Sequence, residues 1–135
     1  MALQHAPILR NALGNAYEAT IGQSPVLNVY TGSPPADCTV ADSGTLLVSM
    51  VLPSDWLTSV SAGVMNLSGD WSNTAVGAGV AGYFRLYDPT GVGTAFEQGT
   101  VSMSGGVGDL ILDNINIASG QSVNITGFTR SFGSP

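Results

Sequence analysis

After residue 22 the apolar residues of this chain stop recurring at helical spacing. They come in short alternating runs, cut by Gly, Pro, Asp and Ser about every 8–14 residues. Such spacing suits strands joined by turns and leaves no room for the helical crossovers of a βαβ fold. The clearest run is Ala81–Gly91. Strand side chains alternate faces, so Phe84 and Leu86 fall on one side and Tyr83, Arg85 and Tyr87 on the other. Asp88-Pro89-Thr90-Gly91 then suits a type I turn, with Asp first, Pro second and Gly fourth.

The other expected strands cover 26–30, 45–52, 64–67, 71–76, 94–103, 109–113 (continuing through Ile115 and Ile117) and 122–129. Leu27, Val29, Leu110, Leu112, Val123 and Ile125 take inward positions. In 45–52, Leu46, Val48, Met50 and Leu52 share one face, while Leu47 and Val51 on the other suggest cover on both sides. Pro53 ends that strand, because Pro cannot continue a ladder. Trp56 is placed to plug one end of the core. The expected fold is mostly β: a single domain over 1–135, a β-sandwich or jelly-roll of about seven to eight antiparallel strands within 23–130, with one short N-terminal helix.

That helix is expected over 7–21. Pro7 fits the first helical position, where a missing N–H costs nothing. Leu9, Leu13, Ala16, Tyr17 and Thr20 share one face, expected to pack on the sheet, with a neighbouring subunit as the alternative partner. Gly22 is a natural stop, and Gly14 inside the helix costs about 1 kcal/mol relative to Ala. At the other end, Phe132-Gly133-Ser134-Pro135 reads as a loose tail.

Charged residues make up 9% of the chain, against roughly 25% in an average domain. There is no lysine, and the three basic residues are Arg10, Arg85 and Arg130. A net charge of −6 with scattered arginines excludes a phosphate-binding stripe, so no nucleic-acid partner is expected, nor an anionic membrane surface. No apolar run is long enough for a membrane-spanning helix. The N-terminus lacks the pattern of a secretion signal, so a chain made and kept in a cytosol is expected. Cys38, the single cysteine, reads as a small, partly buried residue.

No catalytic, cofactor or metal site is expected. Gly77-Ala78-Gly79-Val80-Ala81-Gly82 matches G-x-G-x-x-G in letters, but it leads into a strand where the dinucleotide motif must open a helix. His5 is the only histidine and lies in a terminus expected to be mobile, so neither Cys38 nor any serine has an evident base. Glu18 and Glu97 lie on different elements, and most aspartates sit in turns, where they bond their own backbone. Asp109 and Asp113 lie four apart on one strand without a D-x-D-x-D-G loop. Asn66-Leu67-Ser68 and Asn124-Ile125-Thr126 match the glycosylation triplet by chance. The remaining candidates are contact residues. Tyr83, Arg85 and Tyr87 form an outward stripe, either a solvated sheet face with Arg stacked between tyrosines or a subunit contact, since these types are enriched at interfaces, and Trp71 is a core residue, an interface anchor or a sugar-stacking platform.

Five segments carry a family likeness. They are Pro7–Ile21, Asn28-Val29-Tyr30-Thr31-Gly32-Ser33-Pro34-Pro35, Asp42-Ser43-Gly44-Thr45-Leu46-Leu47, Gly82-Tyr83-Phe84-Arg85-Leu86-Tyr87-Asp88 and Leu112-Asp113-Asn114-Ile115-Asn116-Ile117-Ala118-Ser119-Gly120-Gln121. In this order the chain resembles small virion structural proteins of tailed bacteriophages. The resemblance implies a virion component assembled in the host cytoplasm: a homo-oligomeric capsid decoration or cement protein on the major capsid protein, or else a neck, tail or fibre component. It transfers no catalytic or binding residue. A small carbohydrate-binding module is the further alternative.

Overall fold

A computed structural model describes residues 3–134. The chain is mostly β, with 39% strand against 11% helix. Helix α1 spans Pro7–Ile21 and is followed by β1 (Val26–Thr31), β2 (Leu46–Val51), β3 (Val64–Asn66), β4 (Ser72–Thr74), β5 (Gly79–Tyr87), β6 (Glu97–Met103), β7 (Leu110–Leu112), β8 (Asn116–Ile117), β9 (Ser122–Gly127) and β10 (Thr129–Ser131). Eight of the strands form one sheet in the order β2-β1-β5-β6-β7-β9-β4, with β8 on β5; β10 and β3 make a separate ribbon.

The sheet curls until its two ends meet. A register shift between Val29 and Tyr30 leaves Leu47 as an extra residue in β2. Such a bulge bends the strand and turns a side chain that alternation would place outside. Leu47 is accordingly buried beside Val48. Its carbonyl accepts from the N–H groups of Val76 (2.8 Å) and Gly77 (3.2 Å), next to β4. Asn73 on β4 adds a bond from Nδ2 to the Ser49 carbonyl at 2.7 Å. The result is nearly a barrel.

One pairing departs from the antiparallel expectation: β6 and β7 run parallel. Parallel neighbours ordinarily need a crossover of a dozen or more residues, yet Ser104–Asp109 suffices here. The loop folds back onto the strand it leaves, and a Cβ on Gly106 would stand 2.6 Å from Ser102 Oγ. Glycine is what permits that approach.

Trp56, Trp71, Phe84 and Phe128 lie at the centre of the core with the aliphatic residues of β1, β2, β5 and β7. The rings of Trp71 and Phe128 are 5.0 Å apart. Trp56, expected to plug one end of the core, is fully buried within it, and its Nε1–H donates to the Gly22 carbonyl at 3.0 Å. The Asp88 turn forms, with Gly91 N–H donating to the Asp88 carbonyl at 2.9 Å.

Helix α1 has its expected limits but presents another face. Arg10, Gly14 and Ile21 are its buried residues. Gly14 sits against Val60, Met65 and Phe132, and Tyr17 packs 5.1 Å from Phe132. Leu9 and Leu13, expected inside, are exposed. Nor is the C-terminal tail loose. Phe132 N–H donates to the Gly63 carbonyl, and His5 N–H to the Ser134 carbonyl at 2.7 Å. Ser134 N–H returns a bond to His5 Nδ1 at 2.8 Å, so His5 is held too. Pro135 lies outside the described residues.

Candidate functional site

The expected contact stripe lies inside the molecule. Tyr83, Arg85 and Tyr87 are 0%, 3% and 6% exposed. Alternation on β5 holds, with Phe84 and Leu86 facing the core, but the second face is covered by the long β1–β2 connection. Tyr83 Oη donates to the Ser43 carbonyl at 2.6 Å and accepts from Ser43 N–H at 2.9 Å. Arg85 Nη2 donates to the carbonyls of Val40 (2.6 Å) and Asp37 (3.3 Å), and its Nε to Gln98 Oε1 at 3.1 Å. Gln98 Nε2 in turn holds the Pro35 carbonyl at 2.7 Å. Tyr30 stacks on Tyr83 with centroids 4.9 Å apart. Tyr83 and Arg85 bind the chain's own loop, and Tyr87 Oη lies 3.5 Å from Tyr30 Oη, so the stripe is internal and not a free interface. Its sequence signal was ambiguous because Tyr and Arg suit a dry polar layer as well as a contact surface.

Trp71 is buried, and its Nε1–H donates to the Ser68 carbonyl at 3.0 Å. It is a core residue with no free face for a sugar ring. Asp109 and Asp113 are each engaged locally, with Thr100 and Asn124. Among the described residues, no group of three or more His, Cys, Asp and Glu could hold a metal ion. Gly82 of the G-x-G-x-x-G run lies in β5, where a Cβ would fall onto the Gly32 carbonyl. Close backbone packing thus accounts for that glycine.

Two polar clusters remain near α1. Tyr17 Oη donates to Glu97 Oε2 at 2.7 Å, and Glu97 also pairs with Arg130. The Arg130 guanidinium lies 3.8 Å from the centre of the Phe128 ring. Burial, then the Glu97 carboxylate, pushes the Tyr17 hydroxyl far above its ordinary range. On another side of the helix, Glu18, Asp55 and the Gly22 backbone border a cleft of about 410 Å³. Partial burial, and next the Asp55 charge, raises the Glu18 carboxyl.

The most unusual surface is the outer side of α1. Ile8, Leu9, Ala12, Leu13, Ala16 and Ala19 are all exposed. A surface helix normally turns charged and polar residues outward; α1 has only two charges, Arg10 buried and Glu18 half-buried. Beside the second half of the helix, Leu13, Ala16, Tyr17, Thr20, Phe96 and Phe132 line an open, mostly apolar groove of about 360 Å³. Sequence reasoning missed this face because one apolar stripe was assigned inward. The available signal was that α1 carries almost no charge on any side. No family model, no curated protein and no solved structure matches the chain.

Proposed function

We propose that the chain is a structural subunit of a bacteriophage virion, a capsid decoration or cement protein that works by contact and not by catalysis. The observation that carries this is the uncharged, exposed outer side of α1 on a chain with 9% charged residues and no lysine. Such a helix face is stable in water only at a cost, and burial in an assembly removes it. The family resemblance supplies the kind of assembly. Acting as cement, each copy would bridge neighbouring capsid subunits. Modest contacts repeated over many symmetry-related sites would then resist the outward pressure of packaged DNA.

Quantitative mass spectrometry of purified virions from the genome that encodes the chain tests the reading. A decoration protein is present at hundreds of copies per particle, as the symmetry of a head requires. About a dozen copies would refute decoration in favour of a neck or tail position, and absence from the particle would refute the virion role.

A further inference from the structure

We propose that two copies of the chain associate through α1, the helices packing antiparallel about a two-fold axis opposite the Ala12–Ala16 turn. The inference rests on reading the chain as an assembly subunit, and it names the partner of the helix face: a second copy.

Self-complementarity is written along the helix. The large outward residues, Ile8, Leu9 and Leu13, lie in its first half. Small ones, Ala16 and Ala19, lie in its second half; Ala16 lines the groove bordered by Phe96 and Phe132, and Ala19 lies at the cleft of Glu18 and Asp55. A two-fold axis pairs each position with its complement in an isologous contact. Antiparallel packing therefore sets Leu9 against Ala19, Ala12 against Ala16, and Ile8 of each copy at the groove end of the other. Leu9 thus meets a small residue, two alanines meet near the axis, and Leu13 comes level with Asn15, which allows close helix approach. A parallel arrangement would set Leu against Leu.

The exposed apolar area is comparable to what such a contact uses. Ile8, Leu9, Leu13 and Phe96 are 81%, 47%, 42% and 46% exposed. At about 150–200 Å² for a whole large side chain, these four present roughly 400 Å² of apolar surface. A standard interface buries about 800 Å² per partner, a little over half of it apolar. Charge opposes association only at long range. At a net −6, two copies repel. The outer side of α1 itself carries no carboxylate. Glu18 faces the Asp55 cleft, and Glu97 is held by Arg130 and Tyr17.

Sedimentation equilibrium of the purified chain up to about 100 µM tests this. The expected result is a dimer that dissociates on dilution. Ala12→Glu and Leu9→Glu should each raise the dissociation constant at least about tenfold, since each sets carboxylates into the contact from both copies. Both positions are exposed, so the near-UV circular dichroism of the buried tryptophans should not change. Val51→Glu, at an exposed site on β2, should leave the dimer intact. In a Cys38→Ser background, mixing Ala12→Cys with Ala16→Cys chains should give more mixed disulfide than either variant alone gives symmetric disulfide. A monomer throughout the concentration range, or a dimer indifferent to both helix substitutions, overturns the proposal. A monomer that is nevertheless found in virions refutes only the dimer; a dimer absent from virions refutes only the virion role.

Discussion

Gly14→Ala sets local propensity against tertiary packing. In an exposed helix interior the change stabilises by about 1 kcal/mol, because Ala loses less backbone entropy than Gly. Gly14 is not exposed. A Cβ added there would stand 2.8 Å from Val60 Cγ2, 3.2 Å from Met65 Sδ and 3.3 Å from Phe132 Cδ2. The Met65 thioether can shift, but Val60 and Phe132 belong to the packed floor beneath the helix. Inserting a methyl group into such a contact costs about 1–3 kcal/mol. The packing term wins, and the net expectation is a loss of about 1 kcal/mol. In a domain of this size that lowers the melting temperature by about 4 °C. Urea unfolding followed by tryptophan fluorescence measures the difference, and Asn15→Ala supplies the reference. At this exposed position on the same helix, propensity alone should add about half a kcal/mol. If Gly14→Ala proved as stabilising as propensity predicts, α1 would not be seated on Val60 and Phe132, and the docking described above would be wrong.

Gly82→Ala should cost about 3 kcal/mol or more, since its Cβ meets the Gly32 backbone, which cannot rotate away; a near-wild-type denaturation midpoint would refute that packing. Arg85→Glu should lower stability and speed amide exchange across 35–43, because it points a carboxylate at the Val40 and Asp37 carbonyls; unchanged exchange would show that the loop is held by something else. The Tyr17 hydroxyl titrates higher folded than unfolded, so its contribution is complete below the ordinary tyrosine value of 10.0 and is lost as pH rises beyond it. Stability should therefore fall above about pH 10, and Tyr17→Phe should flatten that fall in urea titrations. The Glu18 carboxyl, raised by partial burial and by Asp55, works the same way at lower pH: its contribution is present below 4.5 and lost on ionisation. Glu18→Gln should therefore stabilise at neutral pH and lose that advantage at acid pH; an equal gain at both would refute the assignment.

The β class, the limits of α1, the Asp88 turn and the inward positions of Phe84, Leu86, Leu110, Leu112, Val123 and Ile125 were legible in the residues themselves. Each follows from a local rule: period-two alternation, Pro at the first helical position, or Asp-Pro-x-Gly in a turn. Such rules act within a few residues and survive folding unless packing overrides them. What they leave open is what covers each face. Alternation placed Tyr83, Arg85 and Tyr87 opposite the core, and that held; only the tertiary structure lays the β1–β2 connection over Tyr83 and Arg85. Helical periodicity grouped Leu9 with Leu13, but a helix poor in charge offers several faces of similar hydropathy. Val60, Met65 and Phe132 selected the side where Gly14 allows the closest approach. The Leu47 bulge, the parallel β6–β7 pair and the meeting of β2 with β4 likewise depend on segments far apart in the chain. Local pattern therefore determined which residues form strand, turn and helix. Long-range packing alone decided that the expected contact stripe would be sealed inside and the outer side of α1 left exposed.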